Sequence, residues 1–216
     1  YGSMTVIDIL HYVLKKPDFI YFESGLARKM ADYAMTITNN LGAVAGFGDI
    51  SSFSSSGHFP GPMAVLACYY DDGRYLWMQQ KMVNASPGAE FLGNGYALSD
   101  LEPVEPTDLL GVHVLPLESW TYENRDDVLG TGVEATDELL RAGEDPPFEQ
   151  CFDKISFRNG FGEDEQYLLL GGQSHGYHSH PDGNALIAFT DQGCLWLFDN
   201  GYFVPDTVEQ NTIAVY

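Results

Sequence analysis

Apolar residues recur at helical spacing through the first third of the chain and in short unbroken runs near its end. In residues 5–16, Val6, Ile9, Leu10, Val13 and Leu14 share one helical face, and Pro17, which lacks a backbone N–H, stops the run. Residues 22–39 predict a second helix, with Leu26, Met30, Tyr33, Ala34 and Ile37 turned inward and Asn39-Asn40 at its end. Residues 62–70 and 74–82 predict a third and a fourth, separated by Asp71-Asp72-Gly73. Methionines and aromatics at these spacings read as core packing. Between the second and third helices, residues 42–60 are rich in Gly and Ser and contain Phe47-Gly48-Asp49. Long loops inside compact domains are often functional, and His58 in this one could close over a ligand.

Residues 86–150 carry a sparser signal. Glu102-Pro103-Val104-Glu105-Pro106 is extended and linker-like, residues 110–117 read as a strand in which His113 packs, and residues 126–147 form a polar, acidic loop with a helical piece at 134–141. A hairpin follows near the end. Residues 185–189 and 195–198 are two apolar runs around Asp191-Gln192-Gly193, a turn composition, and the second run closes on Asp199-Asn200-Gly201. Apolar residues at successive positions predict strands covered on both faces, as inside a large sandwich. If Thr190 pairs with Cys194, regular pairing sets Asp199 opposite Ala185, and Pro181-Asp182-Gly183-Asn184 must fold back for His180 to meet Asp199.

Composition narrows the function classes. A formal net charge of -21 argues against nucleic acid as a partner, since phosphate binding calls for clustered Lys and Arg. It also strains against a polyanionic substrate, although salt screens exposed charges beyond roughly 10 Å and Arg158, Lys154 or Arg74 could make a locally basic cleft. No apolar run approaches the roughly 20 residues of a membrane-spanning helix. Cys68, Cys151 and Cys194 leave at least one thiol unpaired and match neither a disulfide framework nor a CxxC metal motif.

The chemistry-bearing stretch is Gly172-Gln173-Ser174-His175-Gly176-Tyr177-His178-Ser179-His180-Pro181-Asp182, with three histidines inside six residues and carboxylates nearby. Imidazole near neutral pH takes up a proton, releases one or holds a metal. The ordinary alternatives are an exposed loop residue for His175, an edge tyrosine for Tyr177 and a turn-opening aspartate for Asp199.

Five elements occur in one order: Phe157-Arg158, Tyr167-Leu168-Leu169-Leu170, His178-Ser179-His180-Pro181-Asp182, Leu197-Phe198-Asp199-Asn200-Gly201 and Asn211-Thr212-Ile213-Ala214-Val215. In that order they resemble the β-domain of heparinase II/III-like polysaccharide lyases. The preceding helices, with the Phe47-Gly48-Asp49 loop, resemble the last turns of the helical toroid of the same family. The resemblance implies an α+β chain: residues 1–86 the end of an (α/α) toroid, 87–150 a linker and first strands, 151–216 an antiparallel β-sandwich. A complete toroid needs several hundred residues, so the expectation is a fragment of a larger, secreted or periplasmic enzyme.

Residue by residue, the resemblance makes His178 the histidine facing the substrate cleft and makes His180 and Asp199 ligands of a zinc ion. The family's third ligand is a histidine, and Gln210 stands at that position here. A glutamine carbonyl is a poor zinc ligand, so the site could be weak, recruit Asp182, His175 or water, or be empty. The implied activity is β-elimination on an anionic, uronate-containing polysaccharide, with His178 at the reacting ring. The family's tyrosine acid and toroid histidine lie upstream of most of this sequence. Tyr12 is on the right kind of helix, and without the toroid the chain alone should be inactive. Two other classes remain open: a noncatalytic glycan-binding or structural sandwich that has lost its metal, and a cupin-like metal enzyme, against which stands the lack of any histidine after His180.

Overall fold

A computed structural model of the chain describes residues 22–45, 59–85, 100–114, 152–172 and 185–198. These form three helices and a five-stranded antiparallel sheet, an α+β arrangement as expected. Helix α1 is Leu26–Ile37, α2 is Pro60–Tyr70 and α3 is Gly73–Ala85. The strands are β1 (Leu110–Val114), β2 (Phe152–Arg158), β3 (Tyr167–Gly171), β4 (Ala185–Asp191) and β5 (Cys194–Phe198), and they lie in sequence order across the sheet. The first expected helix and the helical piece at 134–141 fall outside the described residues.

Helix α1 starts after Gly25, whose positive φ of 81° turns the chain out of the short helical turn at Phe22. Its buried stripe is Ala27, Ala31, Ala34 and Ile37, with Met30 and Tyr33 packed at the margin. Leu26 was expected inside and is 50% exposed instead. Small alanines let α1 lie close to its neighbours, and that close packing, not side-chain size, selects the inward face. The C-terminus is closed by Thr38, whose N–H and hydroxyl both donate to Ala34 O. Asn39 Oδ1 then accepts the N–H groups of Leu41 and Ala43, which turns the chain so that Thr38 bridges to Val44.

Helix α2 opens with Pro60 and Pro62, where a missing N–H costs nothing, and it is buried on all sides as far as Ala67. Asp71, in the left-handed region, ends it. Asp72 starts α3, its Oδ1 accepting the Arg74 N–H. The helix residues and Tyr167, Leu169, Ile187 and Ala188 of the sheet share one hydrophobic core.

The sheet is a meander with two distinct faces. Ser156, Leu169 and Ala188 lie side by side on the inner face, as do Arg158, Tyr167 and Thr190. The neighbouring rows, Leu110–Phe157–Leu168–Phe189–Leu197 and Val112–Ile155–Leu170–Leu186, are apolar and lie on the other side. Coverage on both faces is therefore not seen among the described residues: Leu110 is 56% and Trp196 63% exposed, and β5 alternates exposed and half-buried positions along its length.

The hairpin expected around Asp191-Gln192-Gly193 is present, but its register differs. Asp191 pairs with Cys194 and Thr190 with Leu195, across a two-residue turn in which Gln192 and Gly193 both have positive φ. An irregularity between Phe189 and Thr190 then sets Leu197 opposite Phe189 and Phe198 opposite Ala188. A second one, between Leu169 and Leu170, buries Ile187 and Ala188 in succession.

Candidate functional site

The meander fixes where the histidine-bearing segment joins the sheet. Gly171 pairs with Ala185, so the link between β3 and β4, which carries His175, His178 and His180, leaves and re-enters at one end of the sheet. Strand β5 runs back toward that same end, with Phe198 opposite Ala188, and the chain continues from it into Asp199. Val114 and Phe152 pair there too. His178, His180, Asp199 and Gln210 themselves lie outside the described residues, as do His175, Tyr177, Asp182, His58, Tyr12, Cys151 and the Phe47-Gly48-Asp49 loop. Among the described residues no group of His, Cys, Asp and Glu is placed to hold a metal, and Cys68 and Cys194 are free.

His113 packs, as its strand position suggests. It pairs with Lys154 across β1 and β2, and its ring lies 4.5 Å from that of Tyr33 on α1. Burial pushes its pKa below the ordinary 6.5, with Asp153 pulling the other way and Lys154 and Lys29 adding to the depression.

The described polar chemistry concentrates at the opposite end of the sheet, around Arg158. Its guanidinium lies between the faces of Tyr167 and Phe161, 4.3 Å and 4.7 Å from the ring centroids. It donates to the carbonyls of Met35 and Thr38 and to Asn40 Oδ1. Those carbonyls belong to the C-terminal turn of α1, where helix geometry leaves acceptors unmet and the peptide dipoles present negative charge. Burial lowers the Arg158 pKa to about 10. No carboxylate lies within ion-pair distance of it among the described residues.

Asn40 completes the joint. Fully buried, it directs its Nδ2 at the carbonyls of Gly160, Glu165 and Gln166, so the β2–β3 loop is pinned to the end of α1. Tyr167 adds a hydrogen bond from its hydroxyl to Thr36 O at 2.9 Å, and burial raises its pKa. From α3, Lys81 Nζ donates to Phe161 O at 2.7 Å.

Beside this joint α1 and the sheet form a half-open cavity of about 240 Å³, lined by Asp32 and Thr36 of α1, Gly111 of β1, and Ser156 and Arg158 of β2, with Arg74 and Asp108 also in its wall. Glycine at 111 is required: a Cβ there would stand 2.5 Å from Ser156 Oγ and 2.9 Å from Thr36 Oγ1. Arg74 is held by a two-point contact to Asp72, Nε to Oδ1 at 3.0 Å and NH2 to Oδ2 at 2.7 Å, which leaves NH1 directed toward Asp108 at 3.6 Å. That contact lowers the Asp72 pKa and raises that of Arg74. Tyr75 donates its hydroxyl to Asp32 Oδ1 at 2.7 Å.

No protein-family model, curated protein or solved structure matches the chain. Sequence reasoning named Arg158 as a source of positive charge and within the Phe157-Arg158 element, named Asn40 only as a helix end, and passed over Ser156, Gly111 and Asp32. The available signal was Asn39-Asn40 at a helix end and Asn159-Gly160 after Arg158, both turn signatures at which chain segments meet.

Proposed function

We propose that the chain is part of a polysaccharide lyase that cleaves uronic-acid-containing glycans by β-elimination, its sheet being one layer of the β-sandwich and its helices the end of the toroid. The observation supporting this reading is the topology: the arginine-bearing strand β2 pairs with the leucine strand β3, β4 lies between β3 and β5, the strand leading to Asp199, and the link bearing His178 and His180 joins the sheet at the end toward which β5 runs. In the reaction, the uronate carboxylate is neutralised or hydrogen-bonded, a base removes the C5 proton, and an acid protonates the departing O4 oxygen. His178 contacts the reacting ring, either countering the carboxylate or sharing in proton transfer. The base and acid partners belong to the toroid part of the family pattern, and the enzyme would be secreted or periplasmic.

Zinc fits this sequence incompletely. His180 and Asp199 are good donors, but the amide of Gln210 does not close a three-residue protein site, so no step is routed through a metal. The same glutamine, with the net charge of -21, favours the second reading, a glycan-binding or structural module without catalysis.

The deciding assay follows unsaturated, ultraviolet-absorbing products from a panel of uronate polymers with the full-length protein and its His178→Ala variant. Product from the parent and none from the variant supports the lyase. Polymer binding without product on the whole panel supports the module. Zinc content of the purified protein, measured by mass spectrometry, separates a metal-holding site from one that has lost it.

A further inference from the structure

We propose that the cavity between α1 and strands β1 and β2 binds a small monocarboxylate that carries its own hydrogen-bond donor, a hydroxy acid or an amino acid. This site is independent of the lyase reading, since it lies away from the histidine-bearing end of the sheet. Four observations converge on it.

The first is the Arg158 guanidinium, half-buried and desolvated, with no carboxylate in reach among the described residues. Of its five N–H groups, three go to Met35 O, Thr38 O and Asn40 Oδ1, which leaves two. A buried charge without a counter-charge is costly, and an anion in the adjoining cavity relieves that cost. The second is Ser156, only 1% exposed, which lines the cavity and has no side-chain hydrogen bond to any described residue. Its hydroxyl is suited to a carboxylate oxygen beside Arg158.

The third is charge. The wall holds Arg158 and Arg74 against Asp32 and Asp108. The formal charges cancel, so a dianion such as sulfate or phosphate gains little, whereas a ligand with a negative end and a donating end is matched at both. Asp32 has one oxygen engaged by Tyr75, and the other can accept from the ligand. Asp108 is largely exposed, so Arg74 is not committed to it. The fourth is size. At about 240 Å³ the cavity is below the roughly 300–1,000 Å³ typical of drug-sized ligands, which suits a small occupant.

The test is calorimetric titration of the full chain with glycolate, alanine, acetate and sulfate at constant ionic strength, combined with amide chemical shifts of Gly111 and Ser156. The expected result is saturable binding of glycolate or alanine with a Kd under about 1 mM. Acetate, which lacks the donor, should bind at least about tenfold more weakly, and Ser156→Ala should weaken the favoured probe about tenfold. The shifts at Gly111 and Ser156 should move in the parent protein, which keeps the test valid even if the variant folds poorly. Absence of saturable binding by every probe would overturn the proposal, as would sulfate binding tightest or titration without movement at Gly111 and Ser156.

Discussion

Replacing Asn40 with alanine should be among the most damaging single changes to the joint between helix and sheet. Its amide has two N–H groups shared among the carbonyls of Gly160, Glu165 and Gln166, at 3.2, 2.9 and 3.3 Å, and its oxygen accepts from Arg158. Two neutral hydrogen bonds contribute about 1 kcal/mol each and one to a charged group about 2, so the loss comes to about 4 kcal/mol. For a chain of this length, each kcal/mol moves the melting temperature by about 2–4 °C, which places the variant roughly 8–16 °C below the parent. Urea denaturation followed by circular dichroism measures the free energy directly. Arg158→Lys supplies the partner for a double-mutant cycle. A single ammonium cannot span Asn40 and two carbonyls as a planar guanidinium does. The two changes should then couple by about 1–3 kcal/mol. A cost under about 1 kcal/mol for Asn40→Ala, or additivity within about 0.5 kcal/mol, would refute the joint as described.

Three further outcomes follow from the same geometry. Tyr75→Phe removes the donor to Asp32 Oδ1 from a fully buried ring, so it should cost about 1.5–3 kcal/mol in urea denaturation, the range for a bond to a charged group. Gly111→Ala forces a methyl against Ser156 and Thr36 and should destabilise by about 1–3 kcal/mol, read as a lowered denaturation midpoint with unchanged slope. His113 is held below 6.5 by burial, so the unfolded chain takes up its proton first. Its stability contribution is complete above about pH 6.5 and is lost as pH falls toward the folded value. An NMR titration placing the His113 pKa above 6.5 would reverse that sign.

The sequence pattern carried the elements better than their contacts. The short apolar segments at 62–70 and 74–82 correspond to α2 and α3, and the runs flanking Asp191-Gln192-Gly193 correspond to β4 and β5, because turn residues and proline mark their limits locally. The inward face of α1 was misplaced at Leu26, since hydrophobicity favours a leucine over the alanines at 27, 31 and 34 that the close packing actually buries. The register of β5 was missed for a related reason. The turn closes over Gln192 and Gly193 alone, so Asp191 faces Cys194, and the irregularity at Phe189/Thr190 shifts the pairing by one more residue, which no residue within the hairpin announces. Arg158 is the clearest case. Its acceptors at Met35 and Thr38 are backbone carbonyls, the second 120 residues away in sequence, and every residue carries such a carbonyl, so no side-chain pattern could have pointed to them. The role of His178, His180 and Asp199 was read from motif order alone, and these residues lie outside the described structure.

The sheet thus has two ends of different character. At the end marked by Arg158, Tyr167 and Asp191, the loops are tied down by Asn40, by Lys81 on Phe161 O, and by the N–H groups of Gln192 and Gly193 on Asp164 O and Glu163 O. Those bonds join four segments distant in sequence, so loosening one of them costs the core that they bring together. The Gly171–Ala185 end instead delivers the histidine-bearing link. Chemistry carried on a connection between elements leaves the packing of the elements themselves in place. Substitution of Asn40 should therefore act first on folding, while under the proposed lyase reading substitution of His178 should act on substrate. That separation is what makes the His178 test and the Asn40 test independent of each other.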